Sequence, residues 1–528
     1  MASYSDSNRF ATHVRANESN STSYAKIENS RTVVRISLRL SRSDPTWCSL
    51  NVLRSAFSTV ILILLAAATL TAQAGSGASP APTVSIPGQQ SPFLGSAPEG
   101  KATSEVLQID FKEAIDRGLR NNLGLLLASD QTEQALGQRW KELSDLLPNI
   151  SARAMEDVQT QSLTALGLKP SLFHAPLPRV IGPFNYFDLR ANLSQSVFNL
   201  KNLDSERAAS ESLKAARLNY KDAREVVVLA VGNSYLQAIA AAARVETAEA
   251  QVKSAQALFD KASDQRRAGV VPAIDALRSQ VEFQTRQQQL IVARNDLAKQ
   301  RLTVARIIGL PPGQEFVLTE KAPYQELTPL PLEVYLQRAY ASRPDYLAGQ
   351  AQVRAAELSR QSAAAGRYPS LDVSANYGDI GVTPAHSNGT WQVTGGLNIP
   401  IFAGNRAHAD VLQADAQLKQ ARSQLADLRG RIDYEVRPSL LDLNAAAEQV
   451  AVAQSSVELA EQTLTQAQDR FAAGVADNLE VVQAQETVAG AHETYIQSLY
   501  AHNLSKVELA RAIGDAEAGV KRFLKGTP

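Results

Sequence analysis

From about Leu203 to Arg267 the chain carries apolar or small residues at Leu213, Ala216, Tyr220, Ala223, Val227 and Ala230. The pattern resumes at Ala238, Ala241, Val245, Ala248, Val252, Ala255 and Phe259. Steps of three and four alternate, as on a coiled-coil seam. At roughly 1.5 Å per residue such a helix is a rod about 100 Å long. A rod of that length cannot bury itself in a globule, and the alanines on its seam let neighbouring helices approach closely besides favouring helix. Lateral helix partners are required.

The rod is written twice. Ala305-Arg306-Ile307-Ile308-Gly309 matches Ala510-Arg511-Ala512-Ile513-Gly514, and Ala268-Gly269-Val270 matches Ala473-Gly474-Val475, both at an offset of 205 residues. Leu213-Lys214-Ala215-Ala216-Arg217 meets Leu418-Lys419-Gln420-Ala421-Arg422 at the same offset, whereas Leu147-Pro148-Asn149-Ile150 meets Tyr368-Pro369-Ser370-Leu371 at 221. The change of offset places an insertion in the first copy before Phe198, read as a longer loop. The expected repeats are 106–310 and 331–516, joined by a linker over 311–330 and followed by a tail over 517–528. The second long helix is expected over about 405–473, with Pro438 removing a backbone hydrogen bond and kinking it.

Between the helices lie segments of strand alternation. Trp391, Val393, Gly395 and Leu397 share one face against Gln392, Thr394, Gly396 and Asn398, and Leu371, Val373, Ala375 and Tyr377 alternate with Asp372, Ser374 and Asn376. In the first copy Phe187, Leu189, Ala191, Leu193 and Val197 alternate with polar residues, and Ile150, Ala152 and Ala154 mark a weaker strand. Strands are therefore expected at about 148–157, 186–198, 368–377 and 391–402, four per chain. Segments of 9 to 11 residues can cross a bilayer when tilted. An open four-stranded sheet could not, because lipid leaves no backbone group unpaired, and closed barrels begin at about eight strands. If the strands span a membrane, copies must assemble. Gly395 and Gly396 are read as either a close backbone approach or a bend.

The start of the chain reads as an export signal with a long n-region, over residues 1–74. Arg54 precedes the apolar run Ala56 to Leu70, which ends at Ala72-Gln73-Ala74, an A-x-A cleavage pattern; the other reading is an N-terminal membrane anchor. A Gly-, Ser- and Pro-rich linker is expected over 75–105. The single cysteine, Cys48, precedes the cleavage site, so the mature chain would have neither disulfides nor a thiol for a lipid anchor. Beyond residue 54 there are 45 basic and 49 acidic residues, and no basic patch calls for nucleic acid. No P-loop is present, and the six histidines, His13, His174, His386, His408, His492 and His502, form no tight ligand spacing and are read as surface or loop residues. No enzyme, metal or cofactor is expected.

The sequence resembles the TolC-like outer-membrane efflux protein family. The resemblance covers about Val106 to Ala516 and rests on the duplication, on Gly118-Leu119-Arg120-Asn121-Asn122-Leu123, on Arg343-Pro344-Asp345, on the strand endings Val197-Phe198 and Ile401-Phe402-Ala403-Gly404, and on the turns at Gly269 and Gly474. It implies a mainly α chain with a transmembrane β portion. The implied assembly is a homotrimer, a helical barrel crossing the periplasm joined to a twelve-stranded β-barrel in outer-membrane lipid. It also implies a passive exit duct for efflux or type I secretion, working with a periplasmic adaptor (membrane fusion) protein and an inner-membrane transporter. The rival reading is a periplasmic coiled-coil tether with no pore.

At the turns, Gly269 and Gly474 suit left-handed helix ends, Pro272 suits a first helical turn, and Asp477 with Glu480 resembles a capping box. The resemblance further implies that Gly269, Val270, Gly474 and Val475 form the periplasmic tip where adaptors dock. By family position Glu480 falls at an acidic constriction, Asp275 is its duplicate, and Gln483 replaces what can be a second acid.

Overall fold

The computed structural model describes residues 91–98, 100–165, 178–320, 324–327 and 330–524; the expected signal, linker residues 75–90, His13 and His174 lie outside them. In chain order the first copy holds β1 (Leu107–Ile109), α1 (Phe111–Asn121), α2 (Leu123–Ser144), β2 (Asn149–Ser162), β3 (Val180–Phe198), α3 (Leu200–Arg267) and α4 (Ala273–Ile308). The second holds β4 (Phe316–Leu318), α5 (Leu332–Ser342), α6 (Pro344–Ala365), β5 (Ser370–Gly381), β6 (Ser387–Asn398), α7 (Arg406–Ala472), α8 (Asn478–Ala512) and α9 (Ala516–Leu524).

Several boundaries differ from the sequence reading for identifiable reasons. The first rod starts a turn early because Asn199 accepts the Asn202 N–H at 3.2 Å as an N-cap. The fourth strand covers Ser387–Asn398, not 391–402: Pro400 has no N–H to give a ladder, and Ile401 and Phe402 project from the join, 94% and 85% exposed. The inter-repeat linker contains β4, which pairs in parallel with β1, Leu107 opposite Phe316. The leading linker docks as well: Asn122 Nδ2 donates to the Phe93 carbonyl at 2.7 Å, and the Phe93 ring fills the space above Gly124. The tail is partly the helix α9, whose first backbone amides, Ala516 and Glu517, donate to the buried Glu225 carboxylate. Pro438 lies inside α7, which runs unbroken from Arg406 to Ala472.

The four long strands form one antiparallel sheet in the order β2-β3-β5-β6. Register sorts the side chains as the alternation requires. Ile150, Leu193, Ala375 and Val393 stand in one cross-strand row and Ala152, Ala191, Tyr377 and Trp391 in the next, making an exposed apolar face. The other face carries Ser151, Asn192, Asn376 and Gln392, with Ser194, Ser374 and Thr394 beside them. The first-copy insertion is partly strand rather than loop, since β3 before Phe187, from Val180 to Tyr186, pairs with β2 alone as a two-stranded ribbon. Gly395 and Gly396 are not a close approach, since a Cβ would meet nothing nearer than 3.9 Å, and their pairing to Val373 and Asp372 is regular.

At the opposite end of the short helices the two copies build one core. Phe111 meets Tyr235 edge-on, ring centroids 5.4 Å apart, and the Tyr235 hydroxyl donates to the Ile109 carbonyl at 3.1 Å. Around them pack Val227, Val231, Ile307, Ile432, Val507 and Ile513. One described helix, Leu200–Arg267, contains a stretch apolar enough to cross a membrane, but 61% of that stretch is buried within the chain, so the core accounts for it.

Each copy has a helix break covered by a left-handed glycine. Asn122 ends α1 and caps α2, accepting the Gly124 N–H at 2.9 Å. At the matching break Arg343, 2% exposed, holds Asp345 through two bonds of 3.0 and 2.7 Å, Glu435 at 2.7 Å and the Ala512 carbonyl at 3.1 Å. Gly309 (φ 76°) lies on Asn121 and Gly514 (φ 74°) on Arg343, each so close that a Cβ would come within 3 Å of the residue beneath. Both positions therefore need glycine for conformation and for space.

His502 corrects the expectation of surface histidines: it is fully buried on α8 against the Tyr324 ring, with neither ring nitrogen hydrogen-bonded. Lys506, one turn on and equally buried, donates to the Gln325 carbonyl. Burial, assisted by the Lys506 charge, lowers His502 from 6.5 to about 4. Between those values the unfolded chain binds a proton that the folded chain refuses, so stability present above pH 6.5 is lost as pH falls toward 4. Asp345 acts in a lower window. Its burial raises the carboxyl, but the Arg343 hydrogen bonds and charge, with Arg511 and the Tyr346 N–H, outweigh that and leave it below its ordinary 3.8. His502→Phe should therefore flatten the fall in thermal stability between pH 6.5 and 4. An unchanged slope in melting scans across that range would contradict the assignment.

Candidate functional site at the helical turns

The two long hairpins, α3–α4 and α7–α8, end in turns of the same construction. Gly269 (φ 75°) and Gly474 (φ 72°) are the left-handed residues. Val270 N–H donates to the Gln265 carbonyl at 2.9 Å and Gly269 N–H to Arg266 at 3.0 Å; Val475 and Gly474 repeat this to Arg470 and Phe471 at 3.0 and 3.1 Å. This double bond pattern satisfies the last carbonyls of each rod. It also leaves Val270 and Val475 outermost, 70% and 71% exposed.

Beneath the turns a small second core of Leu258, Ala467, Phe471, Val481 and Ala484 joins the hairpins. Phe259 stacks on Phe283 with centroids 6.2 Å apart and planes 3° from parallel.

The starts of the return helices differ. Pro272 stands just before α4 with extended backbone, not inside its first turn, and its carbonyl accepts the Asp275 N–H at 3.2 Å. Asp477 caps α8 by accepting the Glu480 N–H at 3.3 Å, but the reciprocal half of the expected box is not made. The Glu480 carboxylate turns instead toward Arg470 on α7, 3.5 Å away.

The three expected constriction residues occupy different settings. Asp275 is buried within the protomer with Arg278 at 3.6 Å. Glu480 is half-buried and Gln483 is exposed one turn on. Among the described residues no hydrogen bond or ion pair joins Asp275 to Glu480 or Gln483. The two turns are tied by other residues: Asn478 Nδ2 donates to the Asp275 carbonyl at 3.0 Å and to Ser279 Oγ at 2.6 Å, with both side chains fully buried. Sequence reasoning missed this pair. Its signal was a departure from the repeat, since at the 205-residue offset Asn478 faces Ala273 and Ser279 faces Ala484. A buried ion pair, Glu282 with Arg286 at 2.6 Å, lies two turns up α4. Among the described residues no group of three or more His, Cys, Asp or Glu could hold a metal ion.

With this geometry in hand, comparison with known proteins is decisive for kinship. The outer membrane efflux protein family matches residues 114–310 and 335–515, that is, both copies. This chain belongs to that family. It is 25% identical over 319 residues to the pyoverdine export outer membrane protein OpmQ of Pseudomonas aeruginosa, covering 58% of this chain and 65% of that one. It is 24% identical over 436 residues to outer membrane protein OprJ of the same organism, covering 78% and 85%. Among solved structures, the outer membrane protein VceC of Vibrio cholerae aligns with a TM-score of 0.65 at 20% identity over 76% of this chain and 96% of that one. The CmeC outer membrane channel of Campylobacter jejuni aligns with a TM-score of 0.64 at 18% identity, covering 83% and 96%. At these identities the structures establish a shared fold. The matched family is one of outer-membrane efflux proteins rather than of enzymes.

Proposed function

We propose that this family member is one protomer of a trimeric exit duct, its sheet contributing four strands to a twelve-stranded barrel in the outer membrane and its hairpins a periplasmic tunnel. The observation that carries the reading is the sheet itself. It has one apolar face bearing Trp391, Tyr377, Val393 and Leu397, one polar face, and two outer strands, β2 and β6, each paired on one side only. In hydrocarbon those free edges require partners, and closure by other copies supplies them. The duct is passive, and its energy comes from an inner-membrane transporter reached through a periplasmic adaptor. The adaptor docks at the turns Gly269-Val270 and Gly474-Val475, where two exposed valines offer an apolar contact.

Outer membranes extracted with detergent should release the chain as a trimer that conducts ions in planar bilayers. Full solubility without detergent would instead support the periplasmic tether.

Within this reading Glu480 lines the periplasmic constriction, with Asp275 behind it and Gln483 a turn above. Arg470 partly offsets Glu480, so removing the acid leaves a net positive ring under threefold symmetry. Glu480→Ala should therefore lower cation permeability and weaken block by divalent cations; single-channel recordings in which neither changes would remove Glu480 from the constriction.

A further inference from the structure

The polar face of the sheet carries one cation, Arg153, that no acid in the described chain pairs with, and two acids, Asp157 and Asp372, that stand in other rows with no cation partner among the described residues. Arg153 on β2 stands directly opposite Arg190 on β3, in a row that continues through Gly378 on β5 to Thr390 on β6. Like charges directly opposite each other are unfavourable unless one is drawn away. Arg190 is drawn away. Its guanidinium bonds Asp188 at 3.1 Å, Asn376 at 2.7 Å and Thr390 at 3.4 Å. It reaches them across Gly378, where an added Cβ would come within 2.9 Å of Arg190's own. Arg190 is thus a clamp over three strands, and Asp188 takes up its charge.

Arg153 has no ion pair or hydrogen bond among the described residues and is exposed. The other acids on this face are far off or engaged elsewhere. Asp157 stands opposite Tyr186, four residues on, about 14 Å along the strand. Asp372 lies six cross-strand pairs away, roughly 20 Å, well beyond the Debye length of about 8 Å. The row therefore has a net charge of one positive unit.

We propose that Arg153, repeated in three copies around the lumen, forms an anion-selective step in the pore that favours cargo bearing carboxylate or other anionic groups over cations. The inference rests on the barrel reading, in which the polar face lines the water-filled channel. At about 8 Å in water one unit charge changes the local concentration of a passing ion by roughly twofold, and three copies by about tenfold before screening.

The test is the reversal potential of the purified full-length protein in planar bilayers under a potassium chloride gradient, at low and high salt. Arg153→Gln should reduce the chloride-to-potassium permeability ratio severalfold, Arg153→Glu should reduce it further, and Arg153→Lys should keep the original ratio. The differences should shrink as salt rises. Channels that conduct normally but show the same ratio in all four proteins would overturn the anion step while leaving the duct intact. Absence of conductance from the unaltered protein would overturn the duct reading, and the step with it.

Discussion

Along the outer edges of β2 and β6 every second residue directs its N–H and C=O away from the sheet, toward no described strand of its own chain. Water could solvate those groups, but the apolar face they border is built for a solvent that cannot. Trp391, Tyr377, Val393, Leu397 and Ile150 are all more than three-fifths exposed on one protomer. In the proposed barrel the two facts together call for association, and association by strand pairing fixes its direction: the first strand of one copy meets the last strand of the next. The rods carry the same incompleteness in another form. Val281, Ile291 and Leu302 on α4 and Leu412, Leu441 and Val452 on α7 are each more than 60% exposed, a coiled-coil seam without its second partner. In the proposed trimer one symmetry operation supplies both shortages.

Between sheet and rods lies the part that is complete within one chain. The two helix breaks, Asn122 beneath Gly309's neighbour Asn121 and Arg343 beneath Gly514, hold each short helix pair at a fixed angle to its rods. The first break uses an amide side chain and the second a buried guanidinium with two carboxylates. The same geometry is reached with different chemistry, and the copy that relies on charge also gains a cross-tie to α7 through Glu435. The β1–β4 ribbon and α9 then strap the repeats together, with Glu225 receiving the first amides of α9. Duplication has given two similar arms and one asymmetric joint.

Sequence pattern revealed what is periodic and concealed what is not. The rods, the turns at Gly269 and Gly474 and the two faces of the sheet follow from spacing alone, because helices and strands impose fixed periods on side-chain direction. β1 and β4 are three residues each, too short for a period to register, and α9 lies in a segment that reads as a tail until Glu225 is placed beside it. The burial of His502 depends on Tyr324 and Gln325 folding over α8, a long-range event with no local mark. At the tip, symmetry misled: Asp275 and Glu480 occupy equivalent positions, yet one is covered and the other faces Arg470. The asymmetric pair Asn478 and Ser279 was legible only as a mismatch between copies.

The central claim, that the free edges of the sheet are closed by other copies, is open to direct measurement by amide hydrogen exchange on protein extracted from the outer membrane. The account predicts that all amides of Asn149–Ser162 and Ser387–Asn398 within the apolar band, including those directed away from the chain's own sheet, are protected to the same degree as the amides of β3 and β5. Rapid exchange at every second residue of β2 and β6, with β3 and β5 still protected, would mean an open sheet and contradict it.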